Sequence, residues 1–180
     1  MGLVDSPSEE EPERVWDLVV AGGGPAGMSA AIYAARYSLE TLVLEGMEPG
    51  GQLSLTARIE NYPGVPETSG ADLASAMRKQ VLDSGSRLRS EVVRSVEDGD
   101  RNRLLVATDS AQYAARCLMI ATGAAPRRLG VPGEERLHGR GVSYCATCDA
   151  PFFRDAHVMV VGGGDSAVKE AMHLADFAGR

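Results

Sequence analysis

Asp17-Leu-Val-Val-Ala-Gly-Gly-Gly-Pro-Ala-Gly27 decides the fold. Asp17 to Ala21 is a short apolar run of strand character. Gly22-Gly-Gly-Pro-Ala-Gly27 follows at once, and the alanine-rich stretch from Met28 to Tyr37 predicts a helix. Thr41-Leu-Val-Leu-Glu45 is then a second buried strand ending in an acid. The whole is a βαβ unit with G-x-G-x-x-G at its first turn. Gly22 permits the tight turn, Gly24 lets the backbone approach a pyrophosphate, and Gly27 lets helix and strand pack closely. The helix N-terminus offers free N–H groups and a positive dipole end to phosphates, and Pro25 and Ala26 stand with the glycines as binding candidates. Glu45 lies 18 residues after Gly27, where a carboxylate accepts hydrogen bonds from a ribose. Alone, such a glycine pattern is weak evidence and equally describes a structural turn. Here the flanking strand, the helix and the acid all agree on a dinucleotide.

Residues 46–68 predict a loop, with Glu48-Pro-Gly-Gly-Gln-Leu53 and Ile59-Glu-Asn-Tyr-Pro-Gly64 as its irregular parts. Long loops of this kind are often functional. From Gly70 to Gly85, Leu73, Met77, Val81 and Leu82 recur at helical spacing. Ser69 is placed to cap that helix, with Asp72 at the capping-box position. Glu91 to Val96 and Arg103 to Thr108 predict antiparallel strands joined at Asp98-Gly99-Asp100. Arg116 to Gly123 predicts another buried strand, with Cys117 packed in it as a small apolar residue. Pro126 to Gly133 carries two prolines and marks a domain linker.

Beyond the linker lies Gly141-Val-Ser-Tyr-Cys-Ala-Thr-Cys-Asp-Ala150, with Cys145 and Cys148 in a C-x-x-C pair. His157 to Val161 predicts a strand. Gly162-Gly-Gly-Asp-Ser-Ala167 is a second dinucleotide turn, with Gly162, Gly164, Asp165, Ser166 and Ala167 as its binding candidates, and a helix is predicted from Ser166 to Phe177. The two turns begin 140 residues apart, so they belong to separate nucleotide domains. A redox dithiol between two such turns suggests electron flow from a nucleotide to a disulfide.

Composition narrows the field. The net charge of −7 argues against a nucleic-acid partner, which asks for a basic face. Asp5, Glu9, Glu10, Glu11 and Glu13 sit among prolines in an acidic tail expected to be flexible. No apolar run is long enough to span a bilayer, and no secretory leader is legible in Met1 to Arg14. Three cysteines are a poor basis for a secreted disulfide scaffold, and the three histidines form no ligand cluster with them, so no metal site is expected. These features fit a cytoplasmic protein.

With both turns and the dithiol in place, residues 15–180 resemble the low-molecular-weight thioredoxin reductases. The resemblance rests on Gly22 to Gly27, Gly46 to Leu53, Glu60 to Gly64, Ala121 to Ala124, Gly141 to Asp149 and Gly162 to Ala167, in that order. It implies FAD at the first turn and NADPH at the second. Glu45, Gly46, Gly50, Gly51, Gln52 and Leu53 would line the flavin, with Asn61, Thr122, Gly123 and Ala124 approaching it and Val93 near the adenine. Electrons would pass from NADPH through FAD to a Cys145–Cys148 disulfide and on to thioredoxin. Cys148 would face the flavin, Cys145 would attack thioredoxin, and Asp149 would move the proton; a plain helix N-cap is the other reading of Asp149. The resemblance further implies a homodimer, a hinge near Pro126, and rotation of the nucleotide domain between two orientations.

The expected architecture is α/β, with an acidic tail at 1–14, an FAD-binding portion at 15–125, and the start of an NAD(P)H-binding domain at 126–180. Both Rossmann-like domains are expected to be incomplete in this chain, which is therefore expected to be poorly stable or catalytically impaired alone. Other readings stay open: an idle flavin-binding fragment, another donor or protein disulfide partner, or a ferredoxin–NADP-type flavoprotein. The dithiol argues against the last, whose chemistry needs none.

Overall fold

The computed structural model describes residues 14–46 and 49–179. The acidic tail and residues 47 and 48 of the loop lie outside the described residues. The chain divides into two compact units that part between Ala125 and Pro126.

The first unit is a six-stranded sheet. Strand β1 (Val15–Ala21) leads through helix α1 (Pro25–Arg36) to β2 (Thr41–Glu45), and helix α2 (Gly70–Asp83) leads to β3 (Arg87–Ser90). A meander of β4 (Val93–Gly99), β5 (Arg103–Thr108) and β6 (Gln112–Ile120) follows. The order is β3-β2-β1-β6-β5-β4. β3, β2, β1 and β6 run parallel, while β4, β5 and β6 pair antiparallel. This is the α/β arrangement of a dinucleotide-binding half, with the βαβ unit at its centre.

Burial explains why β2 reads as a continuous apolar run. All of Thr41 to Glu45 is buried, because both faces of a central parallel strand are covered. Alternate residues feed two cores. Val20 and Val43 pack with Met28 and Ala31 of α1, Leu73, Met77 and Val81 of α2, and Ile59 of the loop. Val19, Leu42 and Leu44 pack with Trp16, Val106, Tyr113 and Ala115. α2 starts as its sequence requires: the Ser69 hydroxyl accepts from the Asp72 N–H at 3.1 Å.

Several expectations change here. The β4–β5 turn falls one to two residues later than predicted, with Arg101 and Asn102 both at positive φ and Gly99 still in the strand. Strand β6 begins at Gln112, before the predicted Arg116, and its far end is not buried: Cys117, Met119 and Ile120 are exposed. Cys117 therefore does not pack as expected. β3 was not predicted at all.

The second unit holds short helices α3 (Glu134–Leu137) and α4 (Ala146–Asp149), a 3-10 turn at Ala150–Phe153, and helix α5 (Asp165–Leu174). The strand predicted from His157 to Val161 is not formed. A parallel strand needs neighbouring strands to take its N–H and C=O groups, and this unit has none among its described residues. Met159 is 87% exposed in consequence.

Candidate functional site

The glycine turn is shaped by contacts that exclude side chains. Gly22 has φ +121°, and a Cβ there would lie 2.1 Å from the Ala121 carbonyl oxygen. A Cβ on Gly27 would lie 1.9 Å from the Gly22 carbonyl oxygen, so turn and helix touch through bare backbone. Gly24 differs: a Cβ there would meet nothing within 4 Å. No contact of the fold demands that glycine, whereas a ligand approaching the backbone would. Gly24 is also the N-cap of α1, with no side chain capping the helix and Pro25 following it. The first N–H groups of α1 are thus left for an anion.

Other predicted residues gather at this turn. Gly51 opens a 3-10 turn (Gly51–Leu55), and a Cβ on it would lie 3.6 Å from the Gly24 Cα. Gly50 is held at φ +86° against Ala74 of α2, and the Leu53 carbonyl packs on Gly70. Gln52 is exposed and Leu53 half-buried on that turn. Ala121 and Thr122 back onto Gly22. Glu45 lies under Gly23, where a Cβ would meet its Oε2 at 2.7 Å. Gly46, Asn61, Gly123 and Ala124 are exposed and Val93 half-buried; none of them is a neighbour of the glycine turn in the contacts described.

The carboxylate of Glu45 is fully buried. Its Oε1 accepts from the Arg78 guanidinium and, at 3.4 Å, from the Ser90 hydroxyl. Its Oε2 is buried without a hydrogen-bond partner. A buried carboxylate oxygen left unpaired costs desolvation energy, and a ribose hydroxyl would recover it. Both the open approach at Gly24 and this oxygen fit a dinucleotide. Burial lowers the Arg78 pKa from its ordinary value. Arg78 was missed in the sequence, although its spacing from Ala74 and Val81 places it on the inner face of α2.

In the second unit, Cys145 and Cys148 form a disulfide with Cα atoms 5.3 Å apart. Cys145 is the N-cap of α4, and its Sγ accepts from the Cys148 N–H at 3.2 Å. Asp149 closes α4 and stands at the N-cap position of the 3-10 turn that follows, but its carboxylate makes no capping bond there and accepts from the Ser143 hydroxyl at 2.5 Å instead. Ser143 Oγ also accepts from the Cys145 N–H at 3.1 Å, and Glu170 Oε2 from the Ala146 N–H at 3.4 Å. The second glycine turn is present, with Gly162 at φ +143° and Gly164 as the N-cap of α5. Gly162 lies against Ala167 at 3.0 Å for a built Cβ. Asp165 pairs with Lys169 one turn on, and Ser166 is exposed.

A glycine turn, a disulfide and a second glycine turn in this order match the model of the pyridine nucleotide-disulphide oxidoreductases over residues 16–180. The chain belongs to that family. Within it, the chain stands with the low-molecular-weight thioredoxin reductases. It is 50% identical over 168 residues to a thioredoxin reductase of Mycolicibacterium smegmatis, covering 92% of this chain and 53% of that protein. Identity to one from Peptoclostridium litorale is 47% over 167 residues, again 92% and 53%. The thioredoxin reductase structure from Streptococcus pyogenes superposes with a TM-score of 0.86 at 48% identity, over 91% of this chain and 53% of that one. The chain thus spans about half the length of the curated relatives it matches. The flavin-binding type of domain is present in this family region. Among the described residues no helix is long and apolar enough to cross a membrane, and no group of three His, Cys, Asp or Glu side chains is placed to hold a metal.

Proposed function

We propose that this chain carries the flavin site and the dithiol relay of a thioredoxin-disulfide reductase. The Cys145–Cys148 disulfide, set between two dinucleotide turns, carries the reading. FAD would lie on Gly22, Gly24, Pro25, Ala26 and Gly27. Glu45 would take the ribose, with Gly46, Gly50, Gly51, Gln52, Leu53, Asn61, Thr122, Gly123 and Ala124 along the flavin and Val93 by the adenine. NADPH would use Gly162, Gly164, Asp165, Ser166 and Ala167. When bound, these groups supply a two-electron route from a nicotinamide to a disulfide.

The residues of this chain then perform thiol–disulfide exchange. Two electrons and two protons convert the Cys145–Cys148 disulfide to a dithiol. Cys145 as thiolate attacks one sulfur of the thioredoxin disulfide, and the other thioredoxin sulfur leaves as a thiolate. Cys148 attacks the mixed disulfide, releases dithiol thioredoxin and restores the Cys145–Cys148 bond. Asp149, whose carboxylate accepts from the Ser143 hydroxyl, would carry the proton for the departing thiolate. Such a relay suits a reducing, cytoplasmic compartment, and the family resemblance supports a homodimer.

Trapping tests the dithiol step without any nicotinamide. In a Cys117→Ser background, Cys148→Ser leaves Cys145 to attack a single-cysteine thioredoxin whose remaining cysteine is activated as a mixed disulfide with thionitrobenzoate; thionitrobenzoate leaves as the thiolate and neither partner keeps a resolving thiol. The expected product is a one-to-one covalent adduct, reversed by dithiothreitol and absent in Cys145→Ser. Failure to form it would sink the thioredoxin assignment. Flavin retention is read separately, as a yellow absorption band on the purified chain.

A further inference from the structure

The dithiol segment is fastened to the linker that precedes it by one carboxylate. Glu134 is 7% exposed, and it follows Gly133, whose φ of +90° turns the chain back on itself. Its Oε1 accepts from the Leu129 N–H at 2.9 Å, and its Oε2 accepts from the Gly130 N–H at 2.7 Å and the Val131 N–H at 3.3 Å. Three successive linker amides thus converge on one side chain. The Tyr144 hydroxyl donates to the same Oε1. Tyr144 precedes Cys145 directly, and its ring meets the edge of His138 at 5.2 Å. The connection runs from linker backbone, through a carboxylate and a phenol, to the attacking cysteine.

Nothing in the packing of this unit calls for a buried acid. Among the described residues of this unit the others buried are Ala146 and Ala150. The carboxylate earns its place by its four donors, which together hold its pKa down to about 2, the Tyr144 hydroxyl first and then the Leu129 amide. Glu134 therefore stays ionised across any working pH, and the link does not titrate away.

We propose that Glu134 and Tyr144 are positioning residues of the relay: a latch that fixes the backbone at Cys145 to the 129–131 linker and so favours the closed disulfide. The proposal rests on the reading of Cys145–Cys148 as a redox pair. Its reason is geometric. A disulfide needs its two Cα atoms within a narrow range. Holding Tyr144 from one side, while Ser143 and Glu170 hold the amides of Cys145 and Ala146, limits how far the reduced turn can open.

The test equilibrates the chain with glutathione redox buffers and compares wild type with Tyr144→Phe and Glu134→Gln. Tyr144→Phe keeps the ring against His138 and removes one donor. It should shift the equilibrium about fivefold towards the dithiol, the equivalent of one net hydrogen bond, while the amides of 129–131 keep their hydrogen-exchange protection. Glu134→Gln should shift the equilibrium in the same direction and also speed exchange at those amides by about tenfold. An equilibrium in Tyr144→Phe that matches wild type overturns the latch, even if Glu134→Gln fails to fold. A wild-type disulfide that does not equilibrate with glutathione overturns the redox reading and the latch together, and the wild-type measurement alone reveals it.

Discussion

Replacing Arg78 with Met should destabilise the first unit by leaving a buried charge alone. The Glu45 side chain is 1% exposed and that of Arg78 24%. Removing one partner of a fully buried pair costs roughly 3–5 kcal/mol. Solvent reaches the Arg78 guanidinium, which trims the loss to about 2–3 kcal/mol. The Ser90 hydroxyl at 3.4 Å is too distant to replace an ion pair. The chain has one tryptophan, and Trp16 is 3% exposed in the second core, so its fluorescence reports this unit alone. With a urea m-value of about 2 kcal/mol per molar, the midpoint should fall by about 1–1.5 M. Adding Glu45→Gln removes the orphaned charge and should recover about half the loss, as a double-mutant cycle would show. If Arg78→Met stays within about 0.5 kcal/mol of wild type, or if Glu45→Gln worsens the loss, the pair does not hold the site.

Glycine substitutions divide fold from ligand. Gly27→Ala should lower the melting temperature and abolish flavin retention together, because its Cβ meets a backbone oxygen at 1.9 Å. Gly24→Ala should melt as wild type does, since its Cβ meets nothing, yet lose the yellow band; a Gly24→Ala chain that keeps its flavin would place the pyrophosphate elsewhere. Glu134 has its folded pKa pulled from 4.5 to about 2, so its stabilisation is complete above pH 4.5 and lost as acidity approaches pH 2. Protection of the 129–131 amides, measured against their intrinsic exchange rates, should fall across that window, and Glu134→Gln should flatten the dependence. Burial, with the hydrogen bond to Glu91, pushes Tyr113 up to about 12. Its share of stability is present below pH 10 and fades as pH rises towards 12, and in an ultraviolet titration Tyr113→Phe should remove the latest phenolate.

The elements that could be read from the chain were those whose own residues settle the matter. β2 and α2 have strong patterns: five buried positions in a row, and a capped amphipathic turn sequence. β3 escaped because Arg87-Leu-Arg-Ser90 is a polar edge strand, held by pairing with β2 rather than by propensity. His157 to Val161 misled for the opposite reason. Its valines satisfy every local rule for a strand, but pairing is a property of neighbours. The glycine turn, Glu45 and the cysteines were legible because dinucleotide and dithiol chemistry impose spacing. Arg78, Ser90, Glu134, Ser143 and Tyr144 were not, because each acts by reaching a residue far along the chain or by folding back through a turn. Glu134 follows a Val-Pro-Gly turn, and that is the one local hint of an inward acid.

The exposed position of Cys117 on β6 has a practical consequence. It is the one cysteine outside the Cys145–Cys148 bond. A maleimide should therefore label the oxidised chain once and the reduced chain at all three cysteines. The mass of the labelled protein becomes a count of how many molecules in a sample are oxidised, with Cys117 as the internal standard in every one of them.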